Sequence, residues 1–280
     1  MIPSIYSCTP ERQIQTRHLI CIHKFSVKGS PKIAELKKLQ RPRRIKMGND
    51  DQVVKKPRFL CLHGFRTSAE ILRKQVTTKW PESILEKFDL VFVDAPFPAQ
   101  GKSDVEGIFD PPYYEWFQFN KEFTEYKNFD ECLAYIEFYM IKYGPFDGLL
   151  GFSQGAILSA ALPGLQTKGM ALTKVPKIKF LIIIGGAKLK SPSLAEKAYS
   201  SPIQCHSVHF LGETDFLKQY GIELLESCVD PLVIHHPKGH TIPRLDEKGL
   251  QGMVSFLEMI QKVFARKEEQ EICSDEASIA

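Results

Sequence analysis

The chain has 280 residues, 43% of them hydrophobic, and a net charge of +4. That is enough to bury one large core, and α/β domains of about 200 to 250 residues commonly form a single unit. The longest apolar run, Phe180 to Ala187, stops after eight residues, so no membrane span is expected.

The charge is uneven along the chain. Residues 1–57 hold thirteen Lys and Arg against four Asp and Glu, an excess of nine that leaves the remainder at −5. The positive charge belongs to this leader, so the folded part is not expected to bind nucleic acid. Residues 1–56 show no sustained apolar period and read as a basic, unstructured leader or transit-like extension. Three origins fit it: an organelle transit peptide, a basic tail, or an extension ahead of a natural start at Met47. The seven cysteines are scattered and form no C-x-x-C, which fits a reducing compartment. The expected location is the cytoplasm, with the nucleus also open to the protein and organelle targeting by residues 1–46 the weaker alternative. No H-E-x-x-H or Walker loop occurs and Gly185-Gly186 lacks the G-x-G-x-x-G register, so no metal or cofactor is expected.

After Pro57, short apolar runs alternate with longer helical periods, the pattern of β-α units on a parallel sheet. The expected strands are Phe59 to Leu62, Leu90 to Asp94, Gly148 to Gly151, Ile178 to Ile184, Ser207 to Leu211 and Leu232 to His235. Between Pro96 and Lys127 no helix is expected, yet the stretch holds nine of the thirty aromatics. It reads as a functional loop in which Tyr113, Tyr114, Trp116 and Phe117 line an apolar pocket, or as a satellite cluster beneath a surface loop. Phe129, Leu133, Ile136 and Met140 recur at helical spacing, with Asn128 as a cap and Gly144-Pro145 as a stop. Leu250, Met253, Val254, Leu257 and Ile260 predict a final helix, followed from residue 266 to 280 by a charged, flexible tail.

The chemistry centres on Gly151-Phe152-Ser153-Gln154-Gly155, set between an apolar strand and a small-residue helix. G-x-S-x-G in that setting presents a serine on a cramped strand-to-helix turn, at a helix N-terminus that favours developing negative charge. A serine hydroxyl needs a base, and the base needs a carboxylate to orient it. Asp215 follows the strand ending at Gly212 and is the expected acid, with Glu213 its rival on the same loop. His240, on the glycine-hinged loop after the next strand, is the expected base; His235 and His236 read as strand-end residues. The backbone N–H groups of Gln154, just after the serine, and Phe65, on the Leu62-His63-Gly64-Phe65 loop, are the expected oxyanion donors. His63 is expected to brace that loop.

With Leu-Cys-Leu-His-Gly-Phe at 60–65, Gly-Phe-Ser-Gln-Gly at 151–155, Gly-Glu-Thr-Asp at 212–215 and Gly-His-Thr-Ile-Pro at 239–243, the chain resembles the FSH-type serine hydrolases, its plant branch in particular. Asp94-Ala-Pro-Phe-Pro and Pro111-Pro-Tyr-Tyr-Glu-Trp-Phe extend the resemblance from about Pro57 to Phe264. It implies an α/β-hydrolase fold, a mostly parallel twisted sheet with helices on both faces, over residues 57–265. It also implies esterase or thioesterase activity on a small-molecule acyl ester or thioester, with Ser153, Asp215 and His240 as the triad. Family members also occur fused to dihydrofolate reductase. The competing reading is an α/β-hydrolase-fold protein that holds a small ligand with little or no turnover.

Overall fold

A computed structural model describes residues 55–279; the leader lies outside the described residues apart from its last two. The chain enters β1 (Arg58–Leu62), α1 (Ala69–Lys79) and α2 (Glu82–Leu85), then β2 (Asp89–Val93). Four short strands follow, β3 (Phe97–Pro98), β4 (Tyr114–Glu115), β5 (Gln118–Phe119) and β6 (Tyr126–Lys127), before α3 (Phe129–Tyr143). Regular alternation then resumes with β7 (Gly148–Phe152), α4 (Gln154–Thr167), β8 (Phe180–Ile184), α5 (Pro192–Tyr199), β9 (His206–Gly212), α6 (Lys218–Leu225), β10 (Leu232–His236) and α7 (Glu247–Ile279).

Six strands form one sheet in the order β10-β9-β8-β7-β1-β2, and every pairing is parallel. Period-two alternation divides the core between its faces. Leu60 and Leu62 of β1 pack with Ile136 and Met140 of α3 and Leu158 of α4 on one side. Phe59 and Cys61 turn to the other side, against Leu72 and Val76 of α1 and Met253, Phe256 and Ile260 of α7. The central strands β7 and β8 are buried along their whole length, which explains why they read as continuous apolar runs and not as alternating ones. Each fully buried Leu, Ile or Phe here contributes about 1.5–3 kcal/mol. This is the doubly wound α/β-hydrolase sheet.

The sheet order positions the site. From β1 the chain moves outward to β2, whereas from β7 it winds the opposite way, and a crevice opens between the carboxyl ends of those two strands. The loop after β1 and the turn after β7 both empty into it.

All six expected strands are present, with ends shifted by one or two residues; the shift is largest at Ile178, where the strand begins at Phe180. The aromatic stretch is not one loop. Two antiparallel pairs stitch it, β3 with β4 and β5 with β6, each too short to leave a period in the sequence. Asn128 stands at the N-cap of α3 but does not cap it. It is left-handed, φ 62°, and its Nδ2 donates instead to Gln118 Oε1 at 2.7 Å. The last helix runs on to Ile279 through the stretch expected to be a flexible tail, a stretch rich in Ala, Arg, Lys, Glu and Gln, all strong helix formers.

Candidate active site

Ser153 joins β7 to α4 at φ 54° and ψ −118°, a conformation that costs a non-glycine residue about 1–3 kcal/mol. The turn is held by the Ser153 N–H on the Ile184 carbonyl at 3.0 Å and by close approach at Gly155, where any Cβ would lie 2.1 Å from the Leu62 carbonyl oxygen. Only glycine lets α4 start against the end of β1. Ser153 itself is half-buried.

Asp215 and His240 meet across the loops after β9 and β10. His240 Nδ1 lies 3.0 and 2.9 Å from the two Asp215 carboxylate oxygens, and the Leu217 N–H donates to Asp215 Oδ1 at 2.7 Å. Burial, the largest single influence on the Asp215 carboxyl, raises its pKa, but the bonds from His240 and Leu217 outweigh it and hold the group below the usual carboxylate value. A proton on Nδ1 donates to this carboxylate, the tautomer in which Nε2 is the acceptor. Nε2 is buried with no hydrogen-bond partner. The imidazole stacks on Phe152 at 5.0 Å and 28°, which sets it beside the residue preceding Ser153, while Phe216 covers its other side at 4.6 Å.

Glu213 is turned away from this pair. Its carboxylate binds Lys218 Nζ at 2.5 Å and His235 Nδ1 at 3.3 Å on the surface, and the Lys218 bond is the first cause of its lowered pKa. His236 is buried, with Nδ1 unpartnered, and burial lowers its pKa.

The loop after β1 is braced by His63. Its Nε2 accepts the Ala95 N–H at 3.0 Å, which places the proton on Nδ1, the donor to the Gly64 carbonyl at 2.8 Å. Burial pushes the His63 pKa down to about 4, so the ring stays neutral. A Cβ at Gly64 would lie 3.4 Å from the Cβ of Ser153, so this loop borders the serine, with Phe65 the next residue along it. Gln154, whose N–H occupies the first turn of α4 where no intrahelical carbonyl is available, uses its buried side chain to tie the aromatic stretch to the elbow. Its Oε1 accepts the Trp116 N–H at 3.1 Å and its Nε2 donates to the Phe117 carbonyl at 2.7 Å.

That tie corrects part of the expected pocket. Trp116 is fully buried and Phe117 nearly so. The Trp116 indole N–H donates to the His63 carbonyl at 2.8 Å, and Phe117 packs on Tyr126 and Phe129. Both are core braces with no face left for a ligand. Tyr113 and Tyr114 are half-buried; the Tyr113 hydroxyl donates to the Phe109 carbonyl at 2.5 Å, and the Tyr114 N–H to the Thr67 carbonyl at 2.7 Å.

Three residues around the imidazole carry no motif and are not expected from the sequence. Gly185, at φ +58°, stands against His240 and Asp215, Phe216 caps the ring, and Lys79 fixes the loop. Lys79 Nζ donates to Thr241 Oγ1 and to the Ile242 carbonyl, both at 2.7 Å, immediately after His240. The only sequence signal among them is position, since Phe216 directly follows Asp215.

The sequence pattern of the family described as Serine hydrolase (FSH1) matches residues 52–250. An Anopheles gambiae protein named as an esterase is 34% identical over 201 residues, 67% of this chain and 72% of its own. A Schizosaccharomyces pombe protein named dihydrofolate reductase is 29% identical over 205 residues, 67% of this chain; the match spans 44% of that longer protein. The crystal structure of Arabidopsis thaliana SOBER1 aligns with a TM-score of 0.46 at 19% identity, covering 72% of this chain and 98% of that one.

Proposed function

This chain belongs to the FSH1 serine hydrolase family, and on that premise we propose that it cleaves carboxylic esters or thioesters through an acyl-enzyme on Ser153. The observation that carries the mechanism is the Asp215–His240 pair, which leaves His240 Nε2 buried and without a partner beside the elbow.

Nε2 takes the Ser153 Oγ proton as the oxygen attacks the acyl carbon. The oxygen of the tetrahedral intermediate sits between the Gln154 and Phe65 N–H groups, at the N-terminus of α4. The imidazolium, steadied by Asp215, passes its proton to the departing alkoxide or thiolate, and the acyl group remains on Ser153. Water then gives a proton to Nε2 and attacks the ester. Collapse returns that proton to Ser153 and releases the acid. Trp116 and Gln154 serve this chemistry indirectly, by holding the loop after β1 and the aromatic stretch at fixed distances from the elbow. The free thiols Cys61, Cys132, Cys205 and Cys228 support a reducing location such as the cytoplasm, and among the described residues no helix is long and apolar enough to cross a membrane.

A fluorophosphonate probe tests this reading. Stoichiometric labelling of the intact protein, mapped by mass spectrometry to Ser153, is expected. Absence of labelling, with ligand-induced thermal stabilisation but no turnover on a broad ester panel, would instead identify a binding protein.

A further inference from the structure

The mouth of the site is ringed by aromatic side chains that remain in contact with water. Phe216, against His240, is 73% exposed. One turn on, Tyr220 lies under the ammonium of Lys190, 4.4 Å from ring centroid to Nζ. The same ammonium lies 5.5 Å from the centroid of the Phe123 ring. Phe123 packs on Phe119 at 4.7 Å and Phe119 on Phe65 at 4.9 Å, and Phe65 follows Gly64 beside Ser153. Contacts therefore run from Tyr220 through Lys190, Phe123 and Phe119 to Phe65 on the loop after β1, where the Arg66 guanidinium lies 4.6 Å from the Phe65 ring; Phe216, against the imidazole, precedes Tyr220 by four residues.

Lys190 differs from the other cations near the mouth. Arg66 is taken by Glu115 at 2.8 Å and Lys218 by Glu213 at 2.5 Å, whereas Lys190 pairs with no carboxylate among the described residues. Two ring faces hold its ammonium in place, so an anion arriving there immobilises little that is not already ordered. The exposed ring of Phe123 and the half-buried rings of Phe119 and Phe65 beside Ser153 supply apolar surface for a ligand.

Resting on the proposed esterase reading, we infer that this arc is the acyl subsite and that Lys190 receives an anionic terminus, so that the preferred substrates are esters of acids whose apolar chain ends in a second carboxylate. The leaving group must stand next to His240 Nε2 to be protonated, which leaves the acyl chain as the part that extends along Phe65, Phe119 and Phe123 towards Lys190.

The test compares p-nitrophenyl octanoate with the mono-p-nitrophenyl ester of suberic acid, equal in chain length and differing in the terminal carboxylate. In wild type the ratio of kcat/KM, suberate over octanoate, is expected to narrow as salt is added. In Lys190→Met the ratio falls about fivefold, the scale of one exposed ion pair, with the change carried by KM; Lys190→Arg restores it. Octanoate turnover with a ratio unaltered in Lys190→Met overturns this inference alone. If neither ester turns over and the fluorophosphonate leaves Ser153 unlabelled, the esterase reading fails with it.

Discussion

Gly185 stands directly behind His240: a Cβ at this position would lie 2.8 Å from His240 Cε1 and 2.9 Å from Nδ1, and 3.2 Å from Asp215 Oδ2. The carboxyl end of β8 is thereby fitted to the imidazole–carboxylate pair after β9 and β10, and no side chain can be inserted without moving it. Gly185→Ala also forces a residue with a Cβ into φ +58°, at a cost of about 1–3 kcal/mol. The variant is expected to fold, with a lowered Tm, and to lose about 100-fold in kcat, the scale of a displacement of roughly 1 Å at a catalytic group. Steady-state kinetics beside a thermal melt separate the two effects; a kcat within a fewfold of wild type would contradict the expected displacement of the His240 imidazole.

Lys79 acts on the same imidazole from the far side of its loop. Lys79→Met removes both bonds to Thr241 and Ile242 while keeping most of the aliphatic stem. Hydrogen bonds from a charged donor are worth about 1.5–3 kcal/mol, so kcat is expected to fall tenfold or more with KM little changed. Lys79→Arg, which retains a charged donor, recovers part of it. A change confined to Tm would make Lys79 a stabilising residue only.

Two buried histidines set an acid limit on the fold. His63 and His209 both have pKa values pushed down to about 4 by burial, against about 6.5 in the unfolded chain. Between those values the unfolded state binds more protons, so stability rises with pH across the window and is lost as pH falls from about 6.5 to 4. Each histidine accounts for a loss on the order of 3 kcal/mol. Urea denaturation at a series of pH values is expected to show this fall, and His209→Gln to remove about half of it. A stability flat from pH 7 to 4 would contradict the neutral, buried assignment of both rings.

The sheet was open to sequence reading because its central strands, β7 and β8, are buried on both faces and so spell short unbroken apolar runs. Ser153 was the most legible candidate, His240 next and Asp215 the least, with Glu213 as its rival on the same loop; all three lie at or after the carboxyl end of a strand. Side-chain direction was not visible. Trp116 and Phe117 sit among aromatics whose spacing carries no period, since β4 and β5 are two residues long, and nothing local says that the indole turns inward to the His63 carbonyl. Gly185 and Lys79 escaped for another reason. Their roles depend on contacts across strands and loops distant in sequence, which propensity and motif do not encode.

The most direct test of the central claim is the hydrolysis of p-nitrophenyl butyrate by Ser153→Ala. If Ser153 carries the acyl group, kcat/KM falls by about three orders of magnitude or more, while the melting temperature stays near that of wild type. A folded Ser153→Ala protein that hydrolyses the ester within a fewfold of the wild-type rate would contradict the assignment.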